Sequence, residues 1–422
     1  MNIIVPPAQS PQQIFRITWF TLAAAIAGLV CASAWAGHKH SRRSNSRRPS
    51  NEVQFQYRQR NLVSDLPGVA VLQDTNLVNA WGVSFPPTGP FWVGANGSGL
   101  ALVYSVTNGQ VSKLPLEVTI PGEGNLTGQV HNDTGTFDSN AFLFVSEDGT
   151  ISGWRPDLGM AAETLTTRTG AVYKGVALIA TGSGPRLLAA NFSEATLDAY
   201  DTNMTLIGQF TDPDAPAGYA PFNVHLAAGQ IFVTFAKQND EKEDDVPGPG
   251  HGFIDVFFPD TGAFHRFAAG TDAGGALADI NSPWGVALAP ASFGDHGDQL
   301  LVGNFGSGTI MTFDADGNFH GLLVGVDGNP LSIEGLWALT FGNGGRAGVP
   351  GTLYFTAGPG DESHGLFGDI EPVRMSTSGH HGRHHGDEDG DDDQDDDDQD
   401  ENDDGGRISG SDRSGLSHDG RK

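Results

Sequence analysis

The chain has 422 residues, 51 acidic against 23 basic side chains, a formal net charge of −28 and a single cysteine. Charge of that sign disfavours nucleic acid and anionic membranes and favours cations or basic partners. One cysteine, Cys31, excludes a disulfide framework and a cysteine-ligated metal centre.

Trp19 to Cys31 is an apolar run preceded by Arg16 and followed by Ala34-Trp35-Ala36, the pattern of a signal peptide cut after Ala36. Residues 1–36 are therefore expected to direct export, leaving a periplasmic or extracellular chain with no stable membrane anchor. Ile17 to Ala36 is also long enough to span a bilayer, and the basic stretch after it works against export. An N-terminal membrane anchor is the alternative. Residues 37–60 hold seven Lys/Arg and one acid, and 37–58 read as a disordered basic arm.

From here a repeat governs the chain. Asn281 to Val324 reads at period two as four short strands parted by Gly, Asp, Asn and Ser, graded from an apolar first strand (Trp284 to Ala289) to a polar last one bearing His320. That is the pattern of one propeller blade. The innermost strand recurs around Val83, Val130, Val176, Val224, Val286 and Leu339, at intervals of 47, 46, 48, 62 and 53 residues. Blades of roughly 40–50 residues fit this spacing. The fold class is thus all-β: a six-bladed β-propeller of four-stranded antiparallel blades over residues 59–373. The sixth copy has no fourth strand of its own after Ile370. Gln59 to Ser64, which belongs to no other hairpin, is expected to supply it and close the ring, since an unpaired edge is a liability.

Residues 61–379 carry 34 acids and 10 bases, net −24, so the acidity is a property of the body as well as the tail. Residues 374–422 read as a disordered His/Asp-rich tail, with 16 acids and 5 bases over 380–422. Its carboxylates can gather Ca²⁺ weakly, without the spacing of an EF-hand loop.

In a propeller, the loops leading into the inner strands share one face with the loops between second and third strands. On that face the sequence puts Asn79, Gln129, Lys174, Asn223, Asn281 and Glu334 at the inner strands. Asn96, Glu147, Asp148, Asn191 and Asn304 fall in the hairpins, where Asn commonly serves the turn. An enlarged fourth-blade loop adds Asp240, Glu241, Glu243, Asp244, Asp245 and His251; the sixth-blade hairpin adds Asp361, Glu362 and His364. Long ordered loops are usually functional. The candidate ligand-binding set is Asn79, Lys174, Asn223, Asn281, Asp244, Asp245, His251, Asp361 and His364. The candidate metal set is Glu334, Asn281, Asn223 and Asn79, an oxygen-rich group suited to Ca²⁺ but with one carboxylate. His131 and His225 share a repeat position one past the reference valine and are the candidate catalytic bases; a packed core histidine is the alternative. Trp81, Trp284 and Trp337 recur at the inner strands and fit core packing better than sugar stacking. Asp295-His296-Gly297-Asp298 falls on the opposite face and reads as a polar turn. No nucleophile elbow, phosphate loop or HExxH motif is present.

Several stretches, VNAWGVSFPPTGPFWVGANGSG, SPWGVALAPASFG, LLVGNFGSGTI, EGLWALTFGNGG and LYFTAGPGDESHGLFG among them, resemble an uncharacterised family of exported bacterial NHL-like propeller proteins found in genomes with the PEP-CTERM sorting system. The resemblance covers roughly residues 60–371 and implies export and a propeller, but brings no catalytic residues. This chain lacks that family's Pro-Glu-Pro and hydrophobic anchor. The leading expectation is an exported acidic scaffold, monomeric, that binds an extracellular glycan, peptide or small molecule, with or without a divalent cation. The alternatives are a metal-dependent hydrolase or lyase of the lactonase or streptogramin-lyase kind, and a calcium-gathering matrix protein.

Overall fold

The computed structural model describes residues 54–270 and 280–375. Their strands form six antiparallel sheets. Blade one is Ala80–Ser84, Phe91–Ala95, Leu100–Thr107 and Gln110–Thr119, each strand bonded to the next. Blades two to five repeat this meander from inner strands Leu126–His131, Tyr173–Thr181, Tyr219–Ala227 and Pro283–Leu288. Each inner strand packs on the next, and that of blade six, Leu336–Phe341, returns to blade one, so the ring closes.

Burial explains the residue gradient. Second strands such as Phe91–Ala95, Phe142–Ser146 and Leu300–Asn304 are buried at every position, because both faces lie against neighbouring blades. The outer strand Leu206–Phe210 is exposed or half-buried throughout. Hydrophobic clusters fill the gaps between successive blades rather than one central core.

The sixth blade takes its fourth strand from the other end of the described chain, as expected. Gln54–Ser64 runs antiparallel to Leu366–Met375, from Gln54 opposite Met375 to Ser64 opposite Leu366. Here the expected boundary of 59 is corrected, since residues 54–58, assigned to the basic arm, are strand. Phe55 and Tyr57 were masked by the surrounding arginines. Tyr57 is buried, packs its ring at a tilt 4.9 Å from that of Phe293 and donates its hydroxyl to the Phe293 carbonyl at 2.9 Å. Asp295 accepts the Phe55 amide at 3.0 Å, so the expected polar turn also anchors the closing strand. Leu72–Gln73 adds a short parallel fifth strand that the repeat did not announce.

Three blades carry a buried aspartate on the third strand, Asp198, Asp255 and Asp369, each meeting an arginine: Arg168 at 3.1 Å, Arg266 at 2.6 Å and Arg60 at 2.5 Å. Removing one partner of such a pair leaves a stranded buried charge, so truncating either side is strongly destabilising. The segment 1–36 expected to direct export, with Cys31, the expected arm up to residue 53 and the tail beyond 375 lie outside the described residues.

Candidate functional site

Every inner strand carries a register shift near its start, for example between Ala80 and Val83 and between Tyr173 and Gly175. A bulge re-aims side chains. Two residues before each reference position stand Trp81, Gly128, Lys174, Phe222, Trp284 and Trp337. The three tryptophans and Phe222 pack with Phe192 into one buried cluster. Trp337 stacks 3.6 Å from Trp81 on one side and 4.0 Å from Phe305 on the other. These rings form an aromatic plug in the channel. Close approach of the strands around it requires glycine: a Cβ on Gly285 would stand 2.6 Å from the Trp337 carbonyl.

Lys174 occupies a tryptophan position. Its ammonium is 1% exposed, lies 5.3 Å from the Trp81 ring centre, and is held between Glu147 and, at 2.9 Å, Asp244 of the enlarged loop. Burial acts to lower its pKa, but Glu147 and Asp244 outweigh burial and the net direction is upward. Around it, Glu362 accepts from the Asn79 amide at 2.6 Å, and the same amide lies 3.4 Å from Asn96 Oδ1. Asn96 donates to Glu147 at 3.1 Å, and Trp337 Nε1 donates to Asn79 Oδ1 at 3.0 Å. Burial pushes the Glu362 carboxyl up to about 7, against the pull of Lys174 and Asn79. Burial likewise pushes Asp245 up to about 6, opposed by Ser282 and Lys174. The mouth, the upper face on which inner strands begin, therefore holds four carboxylates about one lysine. Five nearby residues other than glycine have left-handed backbone: Asn79 (φ 47°), Lys242 (62°), Ser282 (49°), Asp361 (50°) and Glu362 (62°). Such conformations cost free energy and gather at functional sites.

Below the plug, the lower halves of the inner strands enclose a cavity of about 360 Å³. His131 and His225 both line it. Burial lowers both imidazoles, His225 to about 4, so they are neutral at pH 7.

The sequence-derived candidates divide accordingly. Asn79, Lys174, Asp244 and Asp245 belong to the upper cluster. Asn223 lines the lower cavity, with its amide on the Trp284 carbonyl at 2.8 Å. Asn281 accepts the Gly248 amide at 2.7 Å and so fastens the enlarged loop, as does His251 through the Val246 carbonyl at 2.8 Å. His364 is tied to Asp65 at 2.8 Å, and Asp361 is exposed. Glu334 is exposed and accepts the Gly360 amide at 3.0 Å. The four residues of the proposed metal set are thus engaged in separate hydrogen bonds. Among the described residues, no three His, Cys, Asp or Glu side chains are grouped to hold a metal ion. Glu147 and Glu362 are the functional candidates that residue choice from sequence left out. A carboxylate among the mostly asparagine-bearing hairpins was the available signal for Glu147.

No family model matches the chain. Uncharacterized protein R648 of Acanthamoeba polyphaga mimivirus is 30% identical over 344 residues, covering 73% of this chain and 78% of that protein. The chain belongs to the family of R648. Mimivirus protein L690 is 27% identical over 339 residues, 73% of this chain and 84% of its own length. R640 is 31% identical over 230 residues, and the match spans 52% of this chain and 40% of R640. The bacterial source, sorting system and export implied by the resemblance find no support in these viral relatives. Among solved structures, a virginiamycin B lyase from Staphylococcus aureus matches at 14% identity and TM-score 0.43, over 76% of this chain and 89% of that one. A PQQ-bound aldose sugar dehydrogenase from Streptomyces coelicolor matches at 13% and 0.45, over 76% and 100%. No chemistry is carried over from either.

Proposed function

We propose that this R648-family propeller is a binding scaffold whose upper mouth captures an organic cation, an ammonium or guanidinium group on a polyamine or basic peptide. The observation that carries this is the imbalance at Lys174, where Glu147, Asp244, Asp245 and Glu362 surround one ammonium. Desolvated carboxylates cost stability, so the two that burial pushes up, Asp245 and Glu362, set beside the Glu147 and Asp244 that already satisfy the lysine, are poorly explained by folding alone. A hard metal ion requires oxygens converging at about 2.3–2.6 Å; carboxylates spread over separate loops suit a larger cation. Export of the scaffold, through the apolar segment before Ala36, is part of the same proposal.

Equilibrium dialysis of spermidine against the full chain tests it. One site per chain is expected above a weak background from the Asp-rich 380–422. In Asp245→Asn/Glu362→Gln that site should weaken by about tenfold or more, as loss of two charge contacts implies. An unchanged site in the double variant would reject the reading.

A second reading is favoured by Glu362 alone, whose carboxyl near 7 matches that of a general acid or base at neutral pH. It requires turnover of a cationic substrate that Glu362→Gln abolishes while binding persists.

A further inference from the structure

The lower cavity stands apart from the upper mouth in chemistry as well as position. Although the body of the chain has net charge −24, no Asp, Glu, Lys or Arg lines this cavity. Its walls are Val83, Phe85, Leu178, Leu226, Val286 and Leu339, interrupted by a few polar groups. Two of these are buried without a hydrogen-bond partner, Gln129 Oε1 and Ser84 Oγ. Gln129 is 7% exposed, and its amide nitrogen is already committed to the Gly82 carbonyl at 3.2 Å and to that of Trp92. The carbonyl oxygen thus has no protein donor among the described residues. His131 and His225 also line the cavity, and His131 meets the Phe142 ring edge-on at 5.2 Å.

We infer that this lower cavity is a second binding site, specific for an uncharged, mostly apolar small molecule. Its volume falls at the small end of ligand pockets, which run roughly 300–1,000 Å³. An anion finds no cation there, because burial holds both histidines neutral. A cation finds no carboxylate. The aromatic plug divides this site from the mouth, so the two sites can be emptied independently.

The probe is N-phenyl-1-naphthylamine, an uncharged diarylamine with one N–H donor, titrated by fluorescence into the full chain. Its sulfonated anionic counterpart, 1-anilinonaphthalene-8-sulfonate, is the charge control. Saturable binding of one neutral probe per chain is expected, at least about tenfold tighter than the anion. Thr340→Trp fills the cavity wall and should abolish binding. Leu226→Trp, at a rim position 48% exposed, should weaken it without touching the core. Glu362→Gln, at the other mouth, should leave it unchanged, which separates this site's failure from that of the upper one. Non-saturable uptake, equal affinity for the anion, or normal binding by a folded Leu226→Trp chain would overturn the inference.

Discussion

Replacing Lys174 by methionine removes the ammonium while keeping the unbranched stem packed near Trp81. The lysine is 1% exposed, its partner Glu147 is 23% exposed and Asp244 is 65% exposed. Breaking a buried pair costs about 3–5 kcal/mol. The Asp244 half, open to water, belongs with surface pairs of about 0–1 kcal/mol. The low end of the buried range therefore applies, about 3 kcal/mol, or a fall in Tm of about 6 °C at ~2 °C per kcal/mol. The deficit should depend on pH. Glu362 and Asp245 are already raised to about 7 and about 6, and Lys174 opposes both shifts. Without the lysine they rise further. An acid whose folded pKa exceeds its unfolded one costs stability as pH climbs from the unfolded towards the folded value. The variant's deficit should thus be full at pH 8 and shrink towards pH 5. Thermal melts followed by circular dichroism read both. Equal Tm for variant and parent at pH 8, or a larger deficit at pH 5, would refute the reasoning.

Three further outcomes follow from the same geometry. Glu362→Gln removes a group whose folded pKa is raised, so relative to the parent it should gain stability between about pH 4.5 and 7; urea melts across that range check the sign. Tyr57→Ala deletes a buried ring and the hydrogen bond to Phe293 on the closing strand, for a loss of about 4 kcal/mol in denaturant unfolding, whereas an N-terminal strand merely laid on the ring would lose under about 1. Gly285→Ala pushes a methyl to 2.6 Å from the Trp337 carbonyl and should cost about 1–3 kcal/mol, read as a lower Tm with altered tryptophan fluorescence.

The ring was legible because its determinants are local and repeated. Turn residues mark each hairpin, and a valine or leucine recurs at each inner strand, with one long interval at the enlarged fourth-blade loop. Even the closing strand could be inferred, since a blade missing one strand must find it elsewhere. Its start at Gln54 was obscured by Arg58 and Arg60, which make the segment read as a basic arm; Arg60 in fact pairs with buried Asp369. The site was less legible, because its contacts join residues 27, 70 and 283 positions apart. On a surface with so many acids, spacing alone cannot tell which carboxylates turn towards Lys174. Nor does it show that Lys174 replaces a tryptophan of the plug, since the bulge that aims it inward leaves no mark in the alternation of residues. His131 and His225 were matched correctly by repeat position, yet the cavity they share lies below the plug, away from the acidic mouth.

The central claim is that ionised carboxylates at the upper mouth hold an organic cation. Isothermal titration calorimetry of spermidine into the full chain at pH 8 and pH 5.5 tests it most directly. Glu362 and Asp245, raised to about 7 and about 6, carry charge at the first pH and mostly protons at the second. One site per chain at pH 8, weakened by about tenfold or more at pH 5.5, is the predicted result. Affinity equal at the two values, or greater at pH 5.5, would contradict it.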